Sequence, residues 1–328
     1  MRYSSPLLAV LFSLTTATVG AWAPPADTLR PTSPERTIAY TYANDLFFRT
    51  DYYFTQGMSL TLVHPALAYS PVNYLLPGGP AGSTQHYGVA LHYDGFTPLR
   101  IQDAFIRVGD RPYAAYGYAS FFRVSTQPAR RQRLTTALEL GFIGPAAGGK
   151  ELQTTIHRVT NNAEPRGWDY QIRNDAVLGY RVKYETLLLA APGRAELLSS
   201  AAASLGTLYT NADAGLHLRA GRLTPCFATL GTAGAPHGAA PRWQLYGQAA
   251  VEGRLVGYDA TLQGGVFTTD NPYTIAARDV RRAVLRSSGG VVLARGGFGL
   301  AATATWVSTE FAGGRSHRWG QLGATVAF

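Results

Sequence analysis

The chain of 328 residues contains one cysteine, Cys226, so an intramolecular disulfide is excluded, and thiol chemistry is a poor basis for its function. Nothing in it has the Cys/His spacing of a zinc site, and no Gly-x-Ser-x-Gly nucleophile elbow occurs. Lysine is almost as scarce, with Lys150 and Lys183 the two present. The formal net charge of +9 is therefore carried by arginine, whose planar guanidinium suits bidentate contact with phosphate. Beyond the N-terminal stretch no run of about eighteen apolar residues appears, so no spanning helix is available.

At the N-terminus, Met1-Arg2 precedes an apolar run from Pro6 to Val19 and the small residues around Ala21-Trp22-Ala23. This is the layout of a secretory signal peptide over residues 1–23. Export moves the partner of so basic a chain away from nucleic acid and toward anionic lipid. The Pro-rich stretch that follows reads as a flexible leader over 24–36.

The hydrophobic residues, 46% of the chain, are distributed rather than clustered. From Trp243 to Leu255 every second residue is apolar or small (Leu245, Gly247, Ala249, Val251, Gly253), and Gln244, Gln248, Glu252 and Arg254 fall between them. The same period of two runs through Leu134–Phe142 and Phe298–Trp306, which gives strands with one apolar and one polar face. A soluble sandwich has this pattern too. The C-terminus separates the two, because the chain ends on Phe328 with Leu322, Ala324 and Val326 on its face, as the closing strand of an outer-membrane barrel does.

The expected fold is therefore all-β: a 12-stranded antiparallel transmembrane barrel of the bacterial outer membrane over residues 37–328, with a short helix in an extracellular loop. Strands are expected near 37–48, 55–66, 85–97, 113–126, 132–144, 174–190, 195–207, 212–221, 242–257, 281–295, 297–311 and 317–328. With both termini in the periplasm, the connections 66–85 and 221–242 are long for periplasmic turns.

The stretch that departs from alternation is Gly144 to Arg158, GPAAGGKELQTTIHR. It breaks on glycines and continues as a short helix, on which Gln153 and His157, four apart, share a face. Its Gly-x4-Gly-Lys spacing is that of a phosphate loop, but Glu151 stands where a Ser or Thr must hold magnesium, and the preceding strand alternates. A nucleotide site is excluded. His157 is then either a surface residue or a base acting on water.

The same rim carries Asn44-Asp45 at the end of the first strand and Thr55 at the start of the second. Asn-Asp is ordinarily a turn signal. Beside a chain reversal, its oxygens are also hard ligands suited to Ca²⁺ rather than zinc. Trp168 and Trp306 read as packing or interfacial anchors.

Four blocks together resemble the outer-membrane lipid A 3'-O-deacylases: Asn44-Asp45 with Thr50-Asp51-Tyr52-Tyr53-Phe54-Thr55-Gln56-Gly57; Gly109-Asp110-Arg111-Pro112-Tyr113-Ala114; Gly144-Pro145 through Gln153 and His157; and Gly167-Trp168-Asp169-Tyr170-Gln171-Ile172. The resemblance implies a Ca²⁺-dependent esterase that removes the 3'-linked acyloxyacyl chain of lipid A, with its site between the outer wall and a loop helix. It further implies His157 as the base on water, Asn44 and Asp45 at the calcium, and Thr55 and Gln153 completing the pocket. Lipid A in lipopolysaccharide would be the substrate, and the barrel-assembly machinery the one protein partner.

Two departures from that family stand out. Thr97 to Asp110 contains no lysine where characterised members carry a functional one, leaving Arg100 and Arg107, with Lys150, as the candidate substrate-binding cations. The family's loop glutamate falls on Ala163, one position before Glu164. A hydrolase of another phospholipid or glycolipid ester, or a non-catalytic pore on the same scaffold, remains open at this point.

Overall fold

The computed structural model describes residues 30–48, 50, 52–230 and 242–328; the signal-peptide segment lies outside the described residues. Twelve antiparallel strands close into a barrel: β1 (Thr37–Asn44), β2 (Tyr53–Val63), β3 (Thr84–Thr97), β4 (Ala114–Gln127), β5 (Gln132–Ile143), β6 (Asp175–Ala191), β7 (Ala195–Gly206), β8 (Tyr209–Arg222), β9 (Trp243–Asp259), β10 (Ala283–Arg295), β11 (Phe298–Val307) and β12 (His317–Ala327). Each strand pairs with its chain neighbours, and β1 pairs with β12 from Thr37↔Ala327 to Asn44↔Gly320, so no edge is left unpaired. No helix among the described residues is long and apolar enough to cross a membrane.

Strand ends fall where local hydrogen bonding stops the ladder. β1 ends at Asn44 rather than at 48, because the Asn44 side-chain oxygen accepts the Leu46 amide at 3.0 Å and turns the chain. β11 ends at Val307 rather than at 311, where the chain turns to bring the Glu310 carboxylate to Arg111 at 2.7 Å.

The alternation sorts side chains as expected. Leu245, Val251, Leu255, Val291, Leu300 and Leu322 point outward and are exposed. The inner face carries charges that meet one another: Arg254 with Asp213 at 2.6 Å, Arg219 with Glu196 at 2.7 Å and His217 with Glu252 at 3.4 Å. Asp94, Glu139, Arg181 and Arg286 line an inner cavity of about 440 Å³.

At the end away from the termini, the mouth is packed rather than open. Tyr53, Leu262, Ile275, Val280 and Phe311 form a buried cluster from β2 and the connections 260–282 and 308–316. The short helix α2 (Ala260–Gln263) belongs to this cap, and its Thr261 hydroxyl accepts from Arg111 at 2.6 Å.

The two long connections at the terminal end also have a structural role. Residues 223–230 turn into the lumen, where the Arg133 guanidinium donates to the Cys226 and Thr229 carbonyls, both at 2.8 Å, and lies over Phe227. Residues 64–83 instead lie against the outer wall. The Leu76 carbonyl accepts from Arg123 at 3.2 Å, that of Pro77 from Thr136 at 3.1 Å, and that of Leu75 from Tyr180 at 3.0 Å; all three donors face outward on β4, β5 and β6. Within the stretch read as a leader, residues 31–33 bridge to Gln85, and Glu35 meets His86 at 2.9 Å.

Candidate functional site between the outer wall and a loop helix

The connection between β5 and β6 carries helix α1 (Gly149–Val159). Its buried residues are Gly149, Gln153 and His157, an i, i+4, i+8 stripe that lays one face on the barrel. Gly149 permits the approach, since a Cβ there would sit 2.6 Å from both the Ala115 Cβ and the Trp168 ring. Ala115 and Tyr113 pack with Trp168, so the helix and its return segment are seated on the outside of β4.

The wall side is supplied by β2. A bulge between Phe54 and Gln56 gives this strand an extra residue, Thr55. The Thr55 hydroxyl accepts a hydrogen bond from Gln153 Nε2 at 3.2 Å, although both residues are buried. Gln153 Oε1 in turn accepts from the Trp168 indole nitrogen at 2.6 Å. An indole N–H can only donate, which fixes the amide with its oxygen toward Trp168 and its nitrogen toward the barrel. Trp168 is 1% exposed, so it is no interfacial anchor; it locks the Gln153 amide.

One turn further along, His157 Nδ1 meets the Ala163 carbonyl oxygen at 2.6 Å. A carbonyl only accepts, so Nδ1 carries a hydrogen and donates it, which leaves Nε2 on the far side of the ring from this contact. Nε2 makes no hydrogen bond with the described residues. A backbone carbonyl thus orients the ring at the position where the family carries glutamate, and Glu164 is not needed for it.

Asn44 and Asp45 reach the same rim from β1. Asn44 is opposite Gln56 in the β1–β2 register, beside Thr55, and faces outward with Gln56 and Gly320. Asp45 is 4% exposed, and its Oδ2 accepts the Tyr52 amide at 2.8 Å. Asn44 and Asp45 thus bring an amide and a carboxylate oxygen, both hard donors, to the rim of the strand pair that carries Thr55. No group of three or more His, Cys, Asp or Glu that could hold a metal occurs among the described residues, so a cation held by Asp45 would also draw on neutral oxygens.

The three candidate cations stand differently. Lys150 binds Asp169 at 2.6 Å, and that hydrogen bond and charge push its ammonium pKa up from the ordinary value. Arg107 is held by Asp103 and by Asp110 at 3.1 Å. Arg100 is 64% exposed and only 3.7 Å from Asp103, on a connection tied to the helix loop by the Arg166 amide donating to the Ile101 carbonyl at 2.8 Å. Arg111, by contrast, points inward to Glu310 and Thr261 and lies over Phe96, away from the outer wall.

These features define an outer-membrane β-barrel with a loop helix seated on its outer wall, where Gln153 meets Thr55 and His157 is oriented one turn away. The chain belongs to the LpxR family: the family model "Outer membrane protein LpxR" matches residues 7–328. Among solved structures it is similar to LpxR from Salmonella typhimurium, with 19% identity, 89% of this chain and 100% of that chain covered, and a TM-score of 0.70. The β domain of the Bordetella autotransporter BrkA (12% identity, 90% and 99% covered, TM-score 0.44) and the translocator domain of NalP from Neisseria meningitidis (12%, 89% and 88%, 0.43) match more loosely. No curated protein sequence matches the chain.

Proposed function

We propose that this protein is an outer-membrane esterase of the lipid A deacylase type, hydrolysing the 3'-linked acyloxyacyl ester, with His157 as general base on water. The observation that carries this reading is the His157 imidazole, oriented through Nδ1 by the Ala163 carbonyl with Nε2 unengaged, one turn from the Gln153–Thr55 pair on the outer wall. A lipid ester reaches such a site from the membrane without entering the barrel. The packed cap over the lumen and its paired charges favour this reading over a pore.

In the proposed step, Nε2 removes a proton from water as the water attacks the ester carbonyl, and then passes that proton to the alkoxide oxygen that departs as the ester C–O bond breaks. The second hydrogen of Gln153 Nε2 is directed from a locked amide and serves as a donor to the developing oxyanion. Asn44 and Asp45 would hold Ca²⁺, with backbone carbonyls and substrate oxygens completing its shell. When bound, the ion would polarise the ester carbonyl as a Lewis acid. Arg100, the least engaged of the three cations, would meet a lipid A phosphate.

Mass spectrometry of lipid A and phospholipids from cells with and without the gene tests the reading. Loss of the 3'-linked acyloxyacyl chain only when the gene is present is expected. Cleaved phospholipid with intact lipid A would transfer the same chemistry to another substrate, and unchanged lipids would leave a non-catalytic barrel.

A further inference from the structure

The positive charge of this chain is unevenly placed. At the terminal end, Arg36, Arg130, Arg131, Arg194, Arg222, Arg242 and Arg295 are all exposed, and they ring the mouth from the start of β1 through the β4–β5, β6–β7 and β8–β9 connections to the end of β10. None of them meets a carboxylate among the described residues. The acidic side chains at that end are already engaged: Glu35 by His86, Glu185 by Lys183 and Glu196 by Arg219. Exposed arginines at the opposite end, such as Arg158, Arg315 and Arg318, also meet no carboxylate among the described residues, but there the positive charge is interspersed with negative: Glu151, Glu164 and Asp270 are exposed, and Arg100, Arg107, Lys150 and Arg278 each have an aspartate within 4 Å.

Apolar groups accompany this ring. Trp243, Phe298 and Phe328 face outward at the same level and are about half exposed or more, and the Arg295 guanidinium lies over the Trp243 ring at 5.2 Å. The segment 64–83, held against the outer wall, turns Tyr69, Tyr74 and Leu75 away from the barrel, with Tyr69 91% exposed. Aromatics with arginines just beyond them, continuous with the lipid-facing wall, match the depth order of a bilayer: acyl chains, then boundary, then phosphates.

We propose that this rim is a docking collar for anionic phospholipid headgroups of the periplasmic leaflet. The arginines take headgroup phosphates, and the segment 64–83 seats at the acyl–headgroup boundary. The short turns 128–131, 192–194 and 296–297 are all at this end, as periplasmic turns of such barrels are. The arginines are spread around the mouth rather than aimed at one point, which suits a layer of headgroups and not a single small anion. The proposal rests on the outer-membrane barrel alone and is independent of the esterase reading.

The mature protein, refolded into vesicles of phosphatidylcholine alone or of phosphatidylcholine with a minority of phosphatidylglycerol, tests it. The melting temperature should be a few degrees higher in the anionic vesicles, and the gain should shrink as salt is raised. The combined variant R131Q/R194Q/R295Q should lose most of that gain, while R278Q/R315Q at the other end keeps it. Each single substitution, measured separately, should remove a part, which keeps the test available if the triple variant fails to refold. Equal melting in both vesicle types, an equal loss in R278Q/R315Q, or the whole gain reproduced by inorganic phosphate in neutral vesicles would each overturn the collar.

Discussion

Gln153 on α1 and Thr55 on β2 are 98 residues apart in the chain and 3.2 Å apart in space. Their hydrogen bond ties a loop helix to the outside of the barrel wall, and the Trp168 indole behind Gln153 leaves the amide a single orientation. Three side chains from three parts of the sequence therefore act as one unit.

That unit can be tested by removing one donor or acceptor at a time while keeping shape. Trp168→Phe leaves Gln153 Oε1 buried without its donor, a loss of about 1–3 kcal/mol. If the amide orientation matters to the transition state, kcat should fall on the order of tenfold with KM little changed. Thr55→Val should act similarly, and the double variant should be less than additive because both changes free the same amide. A rise in KM alone would make Trp168 a packing residue and nothing more.

Gly149→Ala tests the seating of the helix. The added methyl would lie 2.6 Å from the Ala115 Cβ and the Trp168 ring, and neither can retreat without moving the wall or the Gln153 lock. Overpacking of this kind costs about 1–3 kcal/mol, but it is spent locally in lifting α1, because the barrel ladder is unaffected. Heat-modified mobility on gels should stay near that of the wild type while activity drops. A large drop in barrel stability with activity retained would contradict this picture of the helix.

The candidate cations should separate kinetically. Arg100→Gln should raise KM for a phosphorylated lipid A several-fold. Lys150→Gln should change little, since Lys150 already has Asp169 and an exposed pair of this kind contributes about 0–1 kcal/mol. Comparing substrates with and without the phosphate checks the assignment, because the Arg100 effect should vanish when the phosphate is absent.

For the calcium proposal, Asp45→Asn keeps an acceptor for the Tyr52 amide but removes the one carboxylate of the set. Calcium titration followed by activity and by tryptophan fluorescence should then show weakened binding, and excess chelator should silence the wild type. Full activity in chelator would remove the ion from the account.

Much of the fold was legible because a barrel strand repeats one simple rule, inside and outside in turn, and the closing Phe328 strand marked which two-faced architecture was meant. The helix was legible for the opposite reason: Gly144 to Arg158 broke that rule, and a spacing of four put Gln153 and His157 on one face. The role of Trp168 was not legible, because nothing in a local sequence says which way an indole nitrogen points or that a glutamine amide 15 residues earlier will lie against it. Nor was the Ala163 contribution, which is a carbonyl any residue would supply. The connections expected at 66–85 and 221–242 looked too long for turns; residues 64–83 lie on polar wall residues such as Arg123, and residues 223–230 enter the lumen. Those are pairings between distant segments that periodicity does not report.

The decisive measurement is release of the 3'-linked acyloxyacyl chain from purified lipid A by wild-type protein and by His157→Gln, both refolded into the same vesicles and shown by gel mobility to form the same barrel. Wild-type release with the variant reduced by about a thousandfold or more, in the range of a lost general base together with its positioning, is the expected result. Comparable release by the two proteins would place the chemistry elsewhere.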